Sequence, residues 1–221
     1  MKLIYNPLGL SLNLRDYCCN VLVIEDNYAF EQFIIHLNQQ IKGKEGMFYS
    51  DEEKMTLFKR MSMVSSPFDL QISERDLQKK LYMNLMEEVE TTSKLERFSD
   101  IHAQLIETME ELSIYYDFEI EYNDEFSVTS ILKNLNVSLR PFEGSFCSKF
   151  IAFGDVMHKL LEKDYFVLCN CDVFLCQEDY IELEKWAKYN EITLLLLRNA
   201  KLLWPKECNE YIIDKDWCEI H

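Results

Sequence analysis

Glycine and proline are scarce in this chain, with five and four copies among 221 residues. So few breakers exclude a collagen-like repeat, a Gly/Pro-rich disordered chain and a loop-dense all-β fold. Long apolar runs are missing too. No stretch reaches the roughly 18 apolar residues of a membrane span. The opening "MKLIYNPLGLSLNL" puts Asn and Pro where a secretory leader would be apolar. The expectation is a cytoplasmic protein. GxxxxGK[ST], GxGxxG and GxSxG are all absent, since the glycines stand at 9, 43, 46, 144 and 154. A phosphate cradle needs consecutive backbone amides free to approach the anion, and none is offered.

Positive charge is also short. Lys and Arg number 23 against 39 Asp and Glu, for a net charge of −16. Affinity for a nucleic-acid backbone comes from cations displacing counterions, so loose adhesion to DNA is excluded. Any DNA binding requires the positive charge to be gathered on one surface. The eight cysteines include no CxxC pair, which argues against a structural zinc site. Their one cluster, "CNCDVFLC", places Cys169 and Cys171 on one face of a predicted strand, as buried reduced thiols. Of the four histidines, His36, His102 and His158 lie in predicted helices and His221 is the last residue. None completes a Ser-His-Asp set.

Apolar residues make up 48% of the chain, enough for a sizeable core. "KLIY" and "LSLNL" around Pro7 and Gly9 predict a hairpin. "NVLVIEDNYAF" (20–30) predicts a strand running straight into a helix, with Asp26 or Asn27 as its cap. That helix, about 28 to 41, carries Phe30, Phe33, Ile34, Leu37 and Ile41 at 3-4-3-4 spacing, with Gly43 as its left-handed stop. Short strands are expected on either side of Glu52 and Glu53. From Glu74 to Asp117 the sequence is almost pure helix former, with a natural break at Thr91–Ser93 or at Ser99 and Asp100, and with Ser73 and Ser99 marking two starts. The stripes Leu77, Leu81, Leu85, Val89 and Ile101, Leu105, Met109, Leu112 suit an antiparallel helix pair. Then follow a helix in "SVTSILKNLN", a strand in "VSLRPF", a helix from Ser145, the buried strands "DYFVLCNCD" and "ITLLLLRNA" with a helix between, and a closing "EYIIDKDWCEI". This order predicts an α/β fold with a mixed, mainly parallel sheet, carrying an inserted α-helical domain. The expected divisions are 1–72 with 137–221, and 73–136.

Two charged constellations stand out. "DFEIEYNDE" (117–125) places Glu119 and Glu121 on one face of an extended segment, with Asp124 and Glu125 beyond. Several oxygens on one segment suit a hard cation such as Ca²⁺; a solvated acidic edge that deters strand pairing is the simpler reading. Lys42, Lys44, Lys54, Lys59 and Arg60 lie in two loops around one predicted strand, as a candidate DNA surface or as ordinary solubilising charge. The stretch Glu74–Glu125 holds five basic residues and fifteen acids, so the helical insert carries −10 of the total.

"VLVIEDNYAFEQFI", "FEIEYNDEFSVTSILKNLNVSL", the run from "SFCSKFIAFGDV" through "ITLLLL", and "YIIDKDW" together resemble the short form of the DNA-end-binding adaptation protein of type II-A CRISPR systems. The resemblance implies a degenerate P-loop-NTPase-like head without a working phosphate loop, and a helical leg. It implies a homotetrameric ring that takes double-stranded DNA ends through a basic hole, held by Ca²⁺, required for spacer acquisition and without catalytic activity. By position, Glu119, Glu121, Asp124 and Glu125 become its calcium-ligand candidates, and Lys42, Lys44, Lys54, Lys59 and Arg60 its DNA-contact candidates. Its partners would be other CRISPR adaptation proteins and the type II effector nuclease, with no membrane. Two readings from other classes remain: a P-loop-derived nucleotide hydrolase or nuclease using Glu25, Asp26 and a metal, and an acidic helical adaptor acting through residues 74–117.

Overall fold

The computed structural model describes residues 2–50, 58–70, 74–201 and 208–220. The chain divides into two compact units, Met1–Ile72 with Phe142–His221, and Ser73–Pro141. In the first unit the described strands are β1 (Lys2–Tyr5), β2 (Leu10–Asn13), β3 (Cys19–Ile24), β4 (Phe48–Ser50), β5 (Met61–Val64), β6 (Tyr165–Cys169), β7 (Thr193–Arg198), β8 (Asn209–Ile213) and β9 (Glu219–Ile220). They form two sheets, in the orders β2-β1-β4 and β5-β6-β7-β3-β8-β9. The small sheet is antiparallel throughout. In the large one β5, β6, β7, β3 and β8 run parallel, and β9 returns antiparallel on β8. The two strands expected around Glu52 and Glu53 thus join different sheets.

The parallel strands are apolar on both faces because both faces are covered. All six residues of β3 and of β7 are buried. Leu22, Ile24, Val167, Leu195 and Leu197 pack against helix α1 (Asn27–Ile41) and the small sheet. Val21, Val23, Phe166, Leu168, Leu194 and Leu196 pack beneath two further helices, Phe146–Leu161 and Gln177–Tyr189. Each fully buried Leu or Val contributes about 1.5–3 kcal/mol. Burial on this scale outweighs any local preference of the leucine-rich β7 for helix. The expected face of α1 is the one buried: Phe30, Phe33 and Leu37 face the core. Asn20 is the polar exception inside β3. Its amide meets Arg15, Leu194 and Asn209 at 2.8–3.2 Å and is fully satisfied.

The second unit holds α2 (Glu74–Thr91), α3 (Leu95–Ser113) and α4 (Val128–Asn134); the two helices above the sheet are then α5 (Phe146–Leu161) and α6 (Gln177–Tyr189). Its core joins Tyr82 and Val89 of α2 to Val128 and Leu132 of α4, with Phe98 and Phe126 against them. Ile101, Leu105 and Leu112 stay exposed, so the second stripe is not the buried partner that an antiparallel pair requires. Three further expectations are corrected. Of the two expected breaks the one at Thr91–Ser93 forms, at Ser93 with φ +54°, and Thr91 and Thr92 return their hydroxyls to carbonyls of the last turn of α2; Ser99 lies inside α3 and is not its cap. Residues 137–142 form no strand, because nothing pairs with them and Pro141 brings no N–H. Cys171 does not share a face with Cys169. Asn170, at φ +50°, ends β6 and turns Cys171 to the opposite core. Ser73, the expected first cap of the helical region, lies outside the described residues.

The contact of α5 with α6 depends on Gly154. A Cβ built there would stand 2.4 Å from Cη2 and 2.5 Å from Cζ2 of Trp186. The neighbouring Asp155 accepts the Trp186 indole N–H at 2.8 Å, which fixes the ring against the glycine. Gly154→Val should therefore lower stability by about 1–3 kcal/mol through overpacking, measured by urea unfolding against the parent chain; an unchanged midpoint would refute this close crossing.

Candidate functional site

The strand-to-helix junction at Ile24 is the place where an α/β sheet would bind a phosphate. Here the chain fills that place itself. Asp26 adopts extended backbone angles and its Oδ1 accepts the Ala29 N–H at 2.8 Å. Its carbonyl accepts the Phe30 N–H at 2.9 Å. Glu25 donates its backbone N–H to Ile213 of β8 at 2.9 Å. A carboxylate thus sits on the positive end of α1, and an incoming phosphate would meet negative charge. Asp26 rather than Asn27 is the cap.

The carboxyl ends of β6 and β7 are closed by a buried ion pair. Arg198, 2% exposed, meets Asp172 at 2.5 Å and the Tyr180 hydroxyl at 3.2 Å. Tyr180 donates that hydroxyl to Asp172 at 2.6 Å, and burial followed by the Asp172 charge pushes its pKa up. The three side chains occupy the crevice in which open α/β sheets bind ligands. At the other rim a cleft of about 530 Å³ is lined by Asp16, Arg60, His158, Asp164, Glu191 and Thr193, among others. Its carboxylates outnumber its one guanidinium, which does not suit a phosphate.

Of the predicted basic residues that are described, Lys59 and Arg60 directly precede strand β5, and Lys42 and Lys44 follow α1. Lys42 and Lys44 are exposed in the turn after α1, where Gly43 takes φ +80°. Gln40 pins that turn by exchanging two hydrogen bonds with the Phe48 backbone, at 3.0 and 3.1 Å. Lys59 is exposed just before β5. Beyond the strand, the Asp69 carboxylate accepts N–H and O–H groups of Ser65 and Ser66 at 2.7–2.9 Å. Partial burial pushes that carboxyl up, but these bonds and the Lys42 charge prevail and hold it below its usual range. Arg60 is committed to the structure: its Nε donates to Asp164 at 2.6 Å, and its guanidinium lies 5.6 Å from the Tyr165 ring centre. Asp164 also binds His158 Nδ1 at 2.8 Å. Lys54 lies outside the described residues.

Glu119, Glu121, Asp124 and Glu125 are all exposed, in a stretch with neither helix nor strand. The alternation over 117–125 therefore does not become a strand. Among the described residues one trio of potential metal-ligand atoms lies within 4.8 Å, Cys147 with Asp179 and Glu182, and the four acids are not part of it. Burial, then Asp179 and Glu182, push the Cys147 thiol up to about 12. Asp179 is already engaged, accepting the Cys176 N–H at 2.7 Å. The histidines are structural partners: His36 bonds the Tyr5 hydroxyl at 2.7 Å, and His102 meets the Phe126 ring edge-on.

Residues 39–217 match the family model of the CRISPR-associated protein Cas_Csn2, which spans most of the chain. The chain belongs to the Cas_Csn2 family. It is a CRISPR-associated protein of the type II-A adaptation class. No curated protein matches it. The Cas_Csn2 match takes in Lys42, Lys44, Lys59, Arg60, the acidic 117–125 segment and the closing Asp214-Lys215-Asp216-Trp217. It begins after Glu25 and Asp26. The Asp172–Tyr180–Arg198 set also lies within it, and sequence reasoning passed it over. Its signal was an arginine ending the apolar run "TLLLLR", a charge that must find a buried partner.

Asp26→Ala removes one cap bond and should cost about 1 kcal/mol of stability, read from denaturant unfolding. A variant as stable as the parent would show that the carboxylate does not hold the helix terminus.

Proposed function

We propose that this chain serves spacer acquisition as a non-enzymatic, calcium-dependent ring that binds double-stranded DNA ends without sequence preference. Membership of the Cas_Csn2 family is the observation that carries the reading. The self-capped terminus of α1 supports a scaffold rather than a nucleotide site. It also disfavours a hydrolase or nuclease built on Asp26, because that carboxylate is already committed. Lys42, Lys44 and Lys59 are exposed cations among the described residues of this region and supply phosphate contacts; Arg60 acts through its pairing with Asp164. Repeating a few cations around a closed ring focuses positive potential in a hole, while the acidic exterior repels further DNA. Glu119, Glu121, Asp124 and Glu125 offer the oxygens that calcium prefers, and the ion offsets their mutual repulsion. Contacts to phosphates give no base selection. Other adaptation proteins and the effector nuclease are the expected partners.

Native mass measurement with and without calcium, followed by gel shifts on linear and circular duplex, tests the reading. Calcium should convert a smaller species into a tetramer, and only linear duplex should shift. With about eight phosphate contacts per ring, log affinity should fall with log salt at a slope of about −7. Lys42→Glu with Lys59→Glu should abolish the shift and leave the mass unchanged. A calcium-indifferent monomer, or equal affinity for circle and linear fragment, would overturn the proposal.

A further inference from the structure

Strands β3 and β8 run parallel and set Asn20 opposite Asn209. The Asn209 amide donates to the Asn20 carbonyl oxygen at 3.1 Å, so the register is locked by side chains as well. Cys19, the first residue of β3, and Cys208, the residue just before β8, each immediately precede this pair. Paired strands lie about 4.7–4.9 Å apart, inside the Cα separation of about 4.4–6.8 Å that a disulfide spans. Both side chains belong to the core layer beneath α5 and α6. Each thiol is the strongest influence on the other's titration, which makes the two side chains neighbours in that layer. We propose that Cys19 and Cys208 are a redox-modification site, two thiols that close reversibly to a disulfide across the centre of the sheet.

The two cysteines are unequal in the way such a pair requires. Cys19 is 2% exposed, while Cys208 is half-buried and within reach of solvent. The neighbouring Cys19 thiol holds the Cys208 thiol below its ordinary range against the effect of burial, with help from the Arg198 charge. The Cys208 thiol and burial hold the Cys19 thiol well above it. Cys208 is therefore the attacking thiolate and Cys19 the resolving thiol. With a peroxide as oxidant, the Cys208 thiolate attacks one peroxide oxygen and the O–O bond breaks. Cys208 becomes a sulfenic acid, and the departing oxygen leaves as water. The Cys19 sulfur then attacks the Cys208 sulfur, and its proton leaves with the hydroxyl as a second water. Two thiols lose two electrons, and the peroxide is reduced to two waters.

The other thiols do not offer this arrangement. Burial, the main cause in each, pushes Cys147 up to about 12, Cys169 to about 11 and Cys171 to about 12. Cys18 lies beside the pair, but burial also raises it. Joining Cys19 to Cys208 would tie β8, which precedes the closing Asp214–Trp217 turn, to the strand at the middle of the sheet. In a reducing cytoplasm such a bond forms on oxidative challenge and is reversed by thiols.

The test uses the full chain carrying Cys176→Ser and Cys218→Ser, which removes two exposed thiols. It is treated with graded hydrogen peroxide, alkylated, and digested without reductant for mass mapping. The expected product is a peptide pair linked through Cys19 and Cys208, short of two hydrogens and reversed by a thiol reductant. In Cys208→Ala the link should be lost and Cys19 should stay reduced. Substituting buried Cys19 could disturb folding, so the half-buried Cys208 carries the decision, with circular dichroism confirming the fold. Linkage of Cys208 to Cys18, Cys208 driven to sulfinic acid beside a free Cys19, or two unreacted thiols would each overturn the proposal.

Discussion

Burial of the parallel strands on both faces is the constraint on which the rest of the first unit depends. Once α1 with the small sheet covers one face and α5 with α6 the other, β3 and β7 have no side chain left for solvent. Chemistry is confined to strand ends and to an edge. The carboxyl ends, where such sheets usually hold ligands, are occupied by the protein's own groups: Asp26 on the helix terminus, and Arg198 with Asp172 and Tyr180 beside it. A buried ion pair of this kind is weak evidence for stability. Its clearer effect here is to fill a crevice with paired charge, although the buried Arg198 Nε keeps no hydrogen-bond partner.

The same accounting limits the positive surface. Arg60 is held by Asp164, and Lys163 spends its ammonium on the carbonyls of Lys59 and Met61, while burial lowers its pKa. What remains around β5 is a short row of lysines on a chain of net charge −16. A single protomer of net charge −16 is poorly equipped to hold a polyanion, so the proposed ring is an electrostatic requirement of the proposed function. The acidic second unit adds to this need, since −10 of the net −16 lies in Glu74–Glu125.

At the amino-terminal rim of the sheet the polar and thiol groups are arranged differently. Asn20 ties the 15–18 turn, β7 and β8 to the central strand through one amide, and Cys19 and Cys208 stand beside it. A fully satisfied buried amide fixes register. That fixed register holds two thiols from distant parts of the chain in one core layer.

The order of strands and helices was legible because periodicity and punctuation agree. The alternation of Phe30, Phe33 and Leu37, the unbroken "TLLLLR", and the acid after "VLVI" each point one way. Misreadings came where local pattern had no tertiary partner. Ile101, Leu105 and Leu112 are spaced for burial but exposed, "VSLRPF" has strand composition but no partner strand among the described residues, and Cys171 lost its alternation to one left-handed residue. By itself the sequence determined the fold class, the missing phosphate loop and where the charge lies along the chain, because these follow from composition and short-range spacing. Only the tertiary structure decided that Asp26 caps its own helix, that Arg60 is neutralised by Asp164, and that Arg198 meets Asp172. It alone set Cys19 against Cys208. Each of these is a contact between residues whose meeting depends on strand order and register, which no local pattern encodes.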